Sequence, residues 1–240
     1  MEVKLLAATT KPLETMYIAA RTCYSEDGPI QLENNLPNDD IKWELIEKVL
    51  KSGHQSIAEH ISFTFAIEDI SRACSHQLVR HRHCTFSQKS QRYVKIEEDL
   101  SLLAQTHINK ESYNKIVNVL DKYFIWNKEN LDDYFYLSEC LYLYLKKMQE
   151  GMPAEEVRNI LPNCTKTNLV MTCNLRELIH ICNLRLCNRA QLEIRQLAKL
   201  LSETVYNNYS KRLIEFLVPT CEMTGYCKEA KSCGRKPKKE

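Results

Sequence analysis

In "HISFTFAIEDI" the apolar residues Ile61, Phe63, Phe65 and Ile67 alternate with polar or small ones. A period of two predicts a half-buried strand. "EVKLLAAT" at the start and "TKTNLVMTC" from Thr165 read as further short strands. Elsewhere the period lengthens. "KPLETMYIAARTCYS" sets Leu13, Met16, Ile18 and Ala19 at helical spacing, and the loop "EDGPIQLENNLPNDD" leads into the amphipathic "IKWELIEKVLKSG", where Asp39 or Asp40 is the expected cap and Gly53 the stop. "SRACSHQLVRH" returns to helix. Two long amphipathic helices follow, "INKESYNKIVNVLDKYFIWNK" and "YLSECLYLYLKKMQEG", with a polar break from Glu129 to Asp133. "MPAEEVRNILP" predicts a short helix entered through Pro153 and stopped before Pro162. From "NLRELIHICNLRL" into "RAQLEIRQLAKLLSETVYNNYSKRLIEFLV" the pattern predicts one long helical stretch.

The sum is an α+β chain, a helix-rich single domain around a small central antiparallel or mixed sheet, without internal repeats or low-complexity segments. Its 240 residues suit one domain, expected over 1–218, with a polar tail over 219–240. Thirty-three Lys and Arg against 31 Asp and Glu leave a formal charge of +2. That balance does not support a general nucleic-acid or membrane-surface binder, so any anion site is expected to be local. Neither a leader-like start nor an apolar run of membrane-spanning length occurs, and a cytoplasmic protein is expected. Of 11 cysteines, Cys74, Cys140, Cys173 and Cys182 are read as small core residues inside apolar helical patterns. Cys221, Cys227 and Cys233 instead punctuate the tail. Three sulfurs leave a tetrahedral metal one ligand short, so no metal is expected and the tail reads as mobile.

Five glycines, Gly28, Gly53, Gly151, Gly225 and Gly234, cannot form a GxGxxG turn or a P-loop. A phosphate-bearing ligand must then be held by side chains, for which the planar, permanently charged arginine fork is suited. "RHRHCTFSQKSQRYV" supplies such groups: Arg80, His81, Arg82, His83, Lys89 and Arg92 beside the hydroxyls of Thr85, Ser87, Ser90 and Tyr93 and the amides of Gln88 and Gln91. From composition alone a solvated basic loop competes with an anion site. A second set, Arg176, Arg185, Arg189 and Arg195, lies in a stretch apolar nearly all round. At about 100° per residue Arg185 and Arg189 share a face and Arg176 points opposite. A buried helix feeding two anion sites is easiest to build at a subunit interface. In "SGHQSIAEH", His54, Ser56, Glu59 and His60 are candidate acid/base groups, or Glu59 and His60 tie a helix end to the next strand. The spacings HxxxH and HExxH are absent, which argues against a histidine metal site.

Arg80, His81 and Arg82, followed after seven residues by Ser90 of "SQRYV", resemble the signature of the flavin-dependent thymidylate synthases. The resemblance extends to "GHQSIAEHISFTF", "VRNILP" and "NLRELIHICNLRLCNRAQLEIR", in the family's order, from Gly53 to Arg195. Thr85 stands where the family more often has serine, keeping the hydroxyl. The tail after Val218 has no match. The resemblance implies reductive methylation of dUMP to dTMP, with methylenetetrahydrofolate as carbon donor, NADPH as reductant and FAD as hydride carrier. It also implies a homotetramer with active sites at subunit interfaces. Flavin contacts would come from His54, Ser56, Glu59, Arg80, His81, Arg82, His83, Asn174, Arg176, His180 and Arg189, where His180 replaces the asparagine of some relatives. The nucleotide would be held by Gln77, Arg80, Gln88, Ser90, Arg92, Arg158 and Arg185. Arg185, Ser90 and His54 are the implied catalytic residues, Arg185 stabilising charge on the pyrimidine and Ser90 positioning it. Two other classes stay open: a cysteine-dependent pyrimidine methyltransferase using Cys84 or Cys164, and a flavin- or nucleotide-binding protein without turnover.

Overall fold

The computed structural model describes residues 1–104 and 109–239. Ile108, which opens the first predicted long helix, and Glu240, the last residue of the predicted tail, lie outside the described residues. Strands β1 (Glu2–Ala8), β2 (Ser62–Ser71), β3 (Cys84–Gln88) and β4 (Lys166–Asn174) form one antiparallel sheet in the order β1-β2-β4-β3. The period-two prediction holds in detail on β2, where Phe63, Phe65 and Ile67 are fully buried. Burying each such side chain contributes about 1.5–3 kcal/mol.

Contacts cluster the chain into two compact units. The first comprises Met1, Glu68–Leu78 and Ser87–Leu169, the second Glu2–Ile67, Val79–Phe86 and Val170–Glu240. In the first unit, α4 (Arg72–Leu78) follows β2, and α5 (Leu100–Leu103), α6 (Lys110–Tyr123), α7 (Leu131–Gln149) and α8 (Ala154–Val157) build a helical core. Ile116 and Leu120 of α6 pack with Leu137, Leu141 and Tyr144 of α7, the stripe that the 3.6-residue period predicts. Asn109 and Asn130 start α6 and α7, their side chains accepting from Ser112 N and Asp132 N.

In the second unit, α1 (Pro12–Thr22) packs near α3 (Asp39–Lys51), α9 (Leu175–Arg185) packs near α10 (Leu192–Asn208), and α10 lies along β1. Four differences from the sequence reading are informative. The expected loop before α3 contains α2 (Pro29–Asn34), entered through Pro29. Asn38, one residue before the expected aspartates, caps α3 by accepting from Ile41 N at 3.0 Å, while Asp39 pairs with Lys42 at 2.7 Å. The long helix from Leu175 is broken between Arg185 and Leu192. Finally, the tail is not a plain polar end: α11 (Thr220–Thr224) forms, Cys227 is buried, and Cys227 bridges to Lys238. Among the described residues no helix is long and apolar enough to cross a membrane.

Candidate functional site

The centre of the second unit's site is a chain of three side chains. Glu177 and His81 are both buried, and Glu177 Oε1 lies 3.1 Å from His81 Nδ1. Arg185 Nε donates to His81 Nε2 at 3.2 Å. An accepting Nε2 requires the ring proton on Nδ1, facing the carboxylate, so one tautomer satisfies both bonds. Burial first, then the charge of Arg185, hold His81 below the ordinary imidazole range, against the hydrogen bond and charge of Glu177. The ring is therefore neutral near pH 7.

Local structure explains how these groups meet. Asn174 ends β4 and caps α9, its Oδ1 accepting from Glu177 N at 2.9 Å. The cap fixes the first turn, which carries Arg176 outward and Glu177 inward. Nine residues separate Arg176 from Arg185, about two and a half turns, so they leave α9 on opposite sides. Arg176 forms an ion pair with Glu59 from the 3-10 turn Gln55–His60, while Arg185 meets His81. The predicted opposition of Arg176 and Arg185 is thus present. Arg189 does not share a helix with Arg185; it lies past the end of α9, donates to Lys231 O at 3.1 Å and approaches Glu229 at 3.9 Å. Nor is α9 buried all round: Leu178, Ile179, Ile181 and Cys182 are buried, but Leu184 is exposed.

An open cavity of about 500 Å³ is lined by Gln55, Glu59, His83, Asn174, Arg176 and His180, with Glu177 at its wall. Five of these were expected as flavin contacts. His54 and Ser56 lie beside Gln55 in sequence and are exposed, as are Arg80 and Arg82. His81, Glu177 and His180 also present ligand atoms within 4.8 Å of one another, a geometry that can accept a metal. A metal at His81 would have to displace Arg185 or the Glu177 bond, because both ring nitrogens are engaged.

The nucleotide candidates of the first unit are held differently. Gln88 Nε2 donates to Ser75 Oγ at 2.9 Å and to Thr167 Oγ1 at 3.2 Å, locking the amide between α4 and β4. Ser90 Oγ accepts from Arg92 N at 3.2 Å in a turn. Arg92 pairs with Glu155 at 3.2 Å, with both side chains about half exposed, and Arg158 Nε donates to Glu155 O at 3.2 Å. Gln77 is half-buried on α4. Of the cysteines weighed as nucleophiles, Cys84 hydrogen-bonds Cys173, whose own thiol that bond and burial push upward. Cys164 packs against the helical core of the first unit. Sequence reasoning missed Glu177, whose signal was a lone carboxylate among the apolar residues Leu175, Leu178 and Ile179. It also missed Glu155, an acid in the first turn of α8 whose sequence neighbours carry no further signal.

Comparison with known proteins identifies the family. The sequence model of the family described as thymidylate synthase complementing protein matches residues 4–209. The flavin-dependent thymidylate synthase of Pyrococcus horikoshii is 42% identical over 233 residues, covering 95% of this chain and 90% of its own. This chain belongs to the flavin-dependent thymidylate synthases. It is accordingly an enzyme of thymidylate synthesis. The flavin-dependent thymidylate synthase of Pyrococcus abyssi is 38% identical over 232 residues, again covering 95% of this chain and 90% of its own. The fold is that of the Helicobacter pylori flavin-dependent thymidylate synthase crystallised with FAD and dUMP, with a TM-score of 0.72 and 24% identity over 91% of this chain and 100% of that one.

Proposed function

We propose that this flavin-dependent thymidylate synthase methylates dUMP reductively to dTMP, with methylenetetrahydrofolate as carbon donor and NADPH as reductant through bound FAD. The observation that carries the reading is the buried Glu177–His81–Arg185 chain, which holds a guanidinium in fixed orientation without a glycine-rich phosphate loop. The cavity beside it suits a phosphate-bearing ligand, because Arg176, His83, His180 and Asn174 offer side-chain hydrogen-bonding groups where the backbone cradle is missing. Bound FAD supplies the hydride.

The chain's own residues do the rest. Negative charge on the pyrimidine carbonyl oxygens needs donors already in place, and Arg185 is that donor. Glu177 orients His81 and His81 orients Arg185, so the fork does not have to be ordered at the moment of reaction. His81 then acts through Arg185 rather than through the flavin. Arg92 and Arg158 grip the phosphate, Gln77, Arg80 and Gln88 complete the nucleotide contacts, and Ser90 positions the base. An unactivated serine is a poor nucleophile, which favours electrostatic over covalent activation. His54, Ser56, Glu59, Arg80, Arg82, His83, Asn174, Arg176, His180 and Arg189 are the residues that would hold the flavin, His54 being also a proposed catalytic residue. A homotetramer with shared active sites and a cytoplasmic location complete the proposal.

The test is direct. Protein purified without added cofactor should be yellow, and should convert dUMP to dTMP with methylenetetrahydrofolate and NADPH after its thiols are alkylated. Loss of activity on alkylation with flavin and dUMP still bound would favour the cysteine-dependent class. Binding of FAD and dUMP with no turnover would favour a binding protein.

A further inference from the structure

The three tail cysteines alone are one ligand short of a tetrahedral metal site. The fold supplies a fourth sulfur from elsewhere in the chain. A cavity of about 210 Å³ in the second unit is lined by Cys187, Cys221, Cys227 and Cys233 together. Cys187 comes from the break after α9, Cys221 from α11, and the other two from the chain beyond Gly225. All 11 cysteines of the protein are free thiols. Cys187 lies 34 to 46 positions before the other three, yet the four line one space because the tail is pinned back over the end of α9.

The pins are specific. Arg235 donates to Leu186 O at 3.2 Å and to Asn188 Oδ1 at 2.9 Å, on either side of Cys187. Arg189 donates to Lys231 O at 3.1 Å, two residues before Cys233. Asn188 Nδ2 donates to Cys233 Sγ at 3.5 Å, the kind of N–H to sulfur contact that supports a thiolate ligand. Cys227 N donates to Pro237 O at 2.6 Å. The same cavity is lined by the cations Arg189, Lys228, Arg235 and Lys236 against one acid, Glu229. Four thiolates around a divalent ion carry a net charge of −2, which this ring of cations offsets.

We propose that Cys187, Cys221, Cys227 and Cys233 form a structural tetrathiolate site for zinc. The ligand set is the all-sulfur one that zinc takes in closed, four-coordinate structural sites. Among the described residues no three of these sulfurs stand within 4.8 Å of one another, so binding draws the tail inward. Each thiol that binds gives up its proton to solvent, and nothing is oxidised. The site would clamp the loop that holds Arg189, tying tail order to the end of the helix that carries Arg185.

Full-length protein expressed in zinc-supplemented medium and purified in reductant without chelator should carry one zinc per chain by elemental analysis. Cobalt-substituted protein should show thiolate-to-cobalt charge transfer and the visible bands of tetrahedral coordination. Cys187→Ser and Cys233→Ser should each lose the metal or the four-sulfur spectrum, whereas Cys140→Ser, on α7, should keep both. If the site variants fail to fold, mercurial titration of the wild-type protein provides the readout: zinc should be released as four thiols react. Zinc-free protein without a cobalt–thiolate spectrum, full metal content in Cys187→Ser, or disulfides among the four cysteines in the isolated protein would each overturn the site.

Discussion

In the second unit, the arginine proposed to act on the base rests on a buried carboxylate–imidazole pair, whereas in the first unit the arginines proposed for the phosphate stand on half-exposed turns beside Glu155. The chemical demand differs in the same way. Stabilising charge that appears only in the transition state requires a donor fixed beforehand, and fixing it requires buried partners. Gripping a dianionic phosphate that is present throughout can be left to mobile cations that exchange one anion for another. Burial thus separates orientation from attraction, and each unit can be perturbed separately.

The largest effect is expected where orientation and chemistry coincide. Arg185→Ala should slow single-turnover dTMP formation by about 2.7–4 kcal/mol, on the order of a hundredfold to a thousandfold, measured with prereduced flavin and saturating dUMP. Arg185→Lys should recover part of the rate, because a point charge does not reproduce a planar fork. Ser90→Ala and Cys164→Ala should retain measurable turnover, Ser90 contributing one neutral hydrogen bond of about 0.5–1.5 kcal/mol. Complete inactivity of either in a folded, dUMP-binding protein would replace the electrostatic account with a covalent one.

In the first unit, Arg92→Ala should weaken dUMP binding by about 1.5–3 kcal/mol, the contribution of a charge-assisted contact, while bound FAD is unaffected. Isothermal titration of dUMP into the flavin-loaded protein measures it. Unchanged affinity would remove Arg92 from the phosphate site and leave it an ordinary surface ion pair.

How far the sequence carried these assignments depends on whether the cause was local. The strand at Phe63–Ile67 and the helices at α6 and α7 follow from periodicity, which the chain carries within a few residues. The break after Arg185 does not. Residues 186–191 contain neither proline nor glycine, and the freed carbonyl of Leu186 is satisfied by Arg235, 49 positions away, while that of Asn188 accepts from Arg195 in the next helix at 3.0 Å. That break put Arg189 off the predicted face and brought Cys187 to the tail's three cysteines. Glu177 was hidden for the same reason, since its partner His81 lies 96 positions away. Residue types in the candidate site were legible, but their partners were not.

A pH experiment tests the buried framework without touching the ligands. His81 has its folded pKa lowered, by burial and then by Arg185. The unfolded chain takes up this proton first, near the ordinary value of about 6.5. Stability from His81 is therefore full above that pH and is lost as pH falls through the folded value. Thermal melts should show wild-type Tm dropping across this window more steeply than that of His81→Gln, which keeps an amide donor and acceptor but does not titrate. Parallel pH profiles would mean that the Glu177–His81–Arg185 chain does not contribute as described.

The smallest expected effect discriminates most finely between the two units. Glu155 occupies Arg92 in an ion pair at 3.2 Å, and its carbonyl oxygen accepts from Arg158. If phosphate replaces the carboxylate, dUMP must break that pair before it gains the arginine. Exposed pairs of this kind contribute about 0.2–1 kcal/mol, so Glu155→Gln should tighten dUMP binding by no more than a few-fold and leave FAD affinity unchanged. The backbone bond from Arg158 survives the substitution, which keeps the second arginine in place. Raising the ionic strength should shrink the difference between the two proteins, because the competing pair is screened with the ligand contact. Weaker dUMP binding in Glu155→Gln would reverse the interpretation: the carboxylate would then be orienting Arg92 for the phosphate, as Glu177 orients His81, and the first unit would be as preorganised as the second.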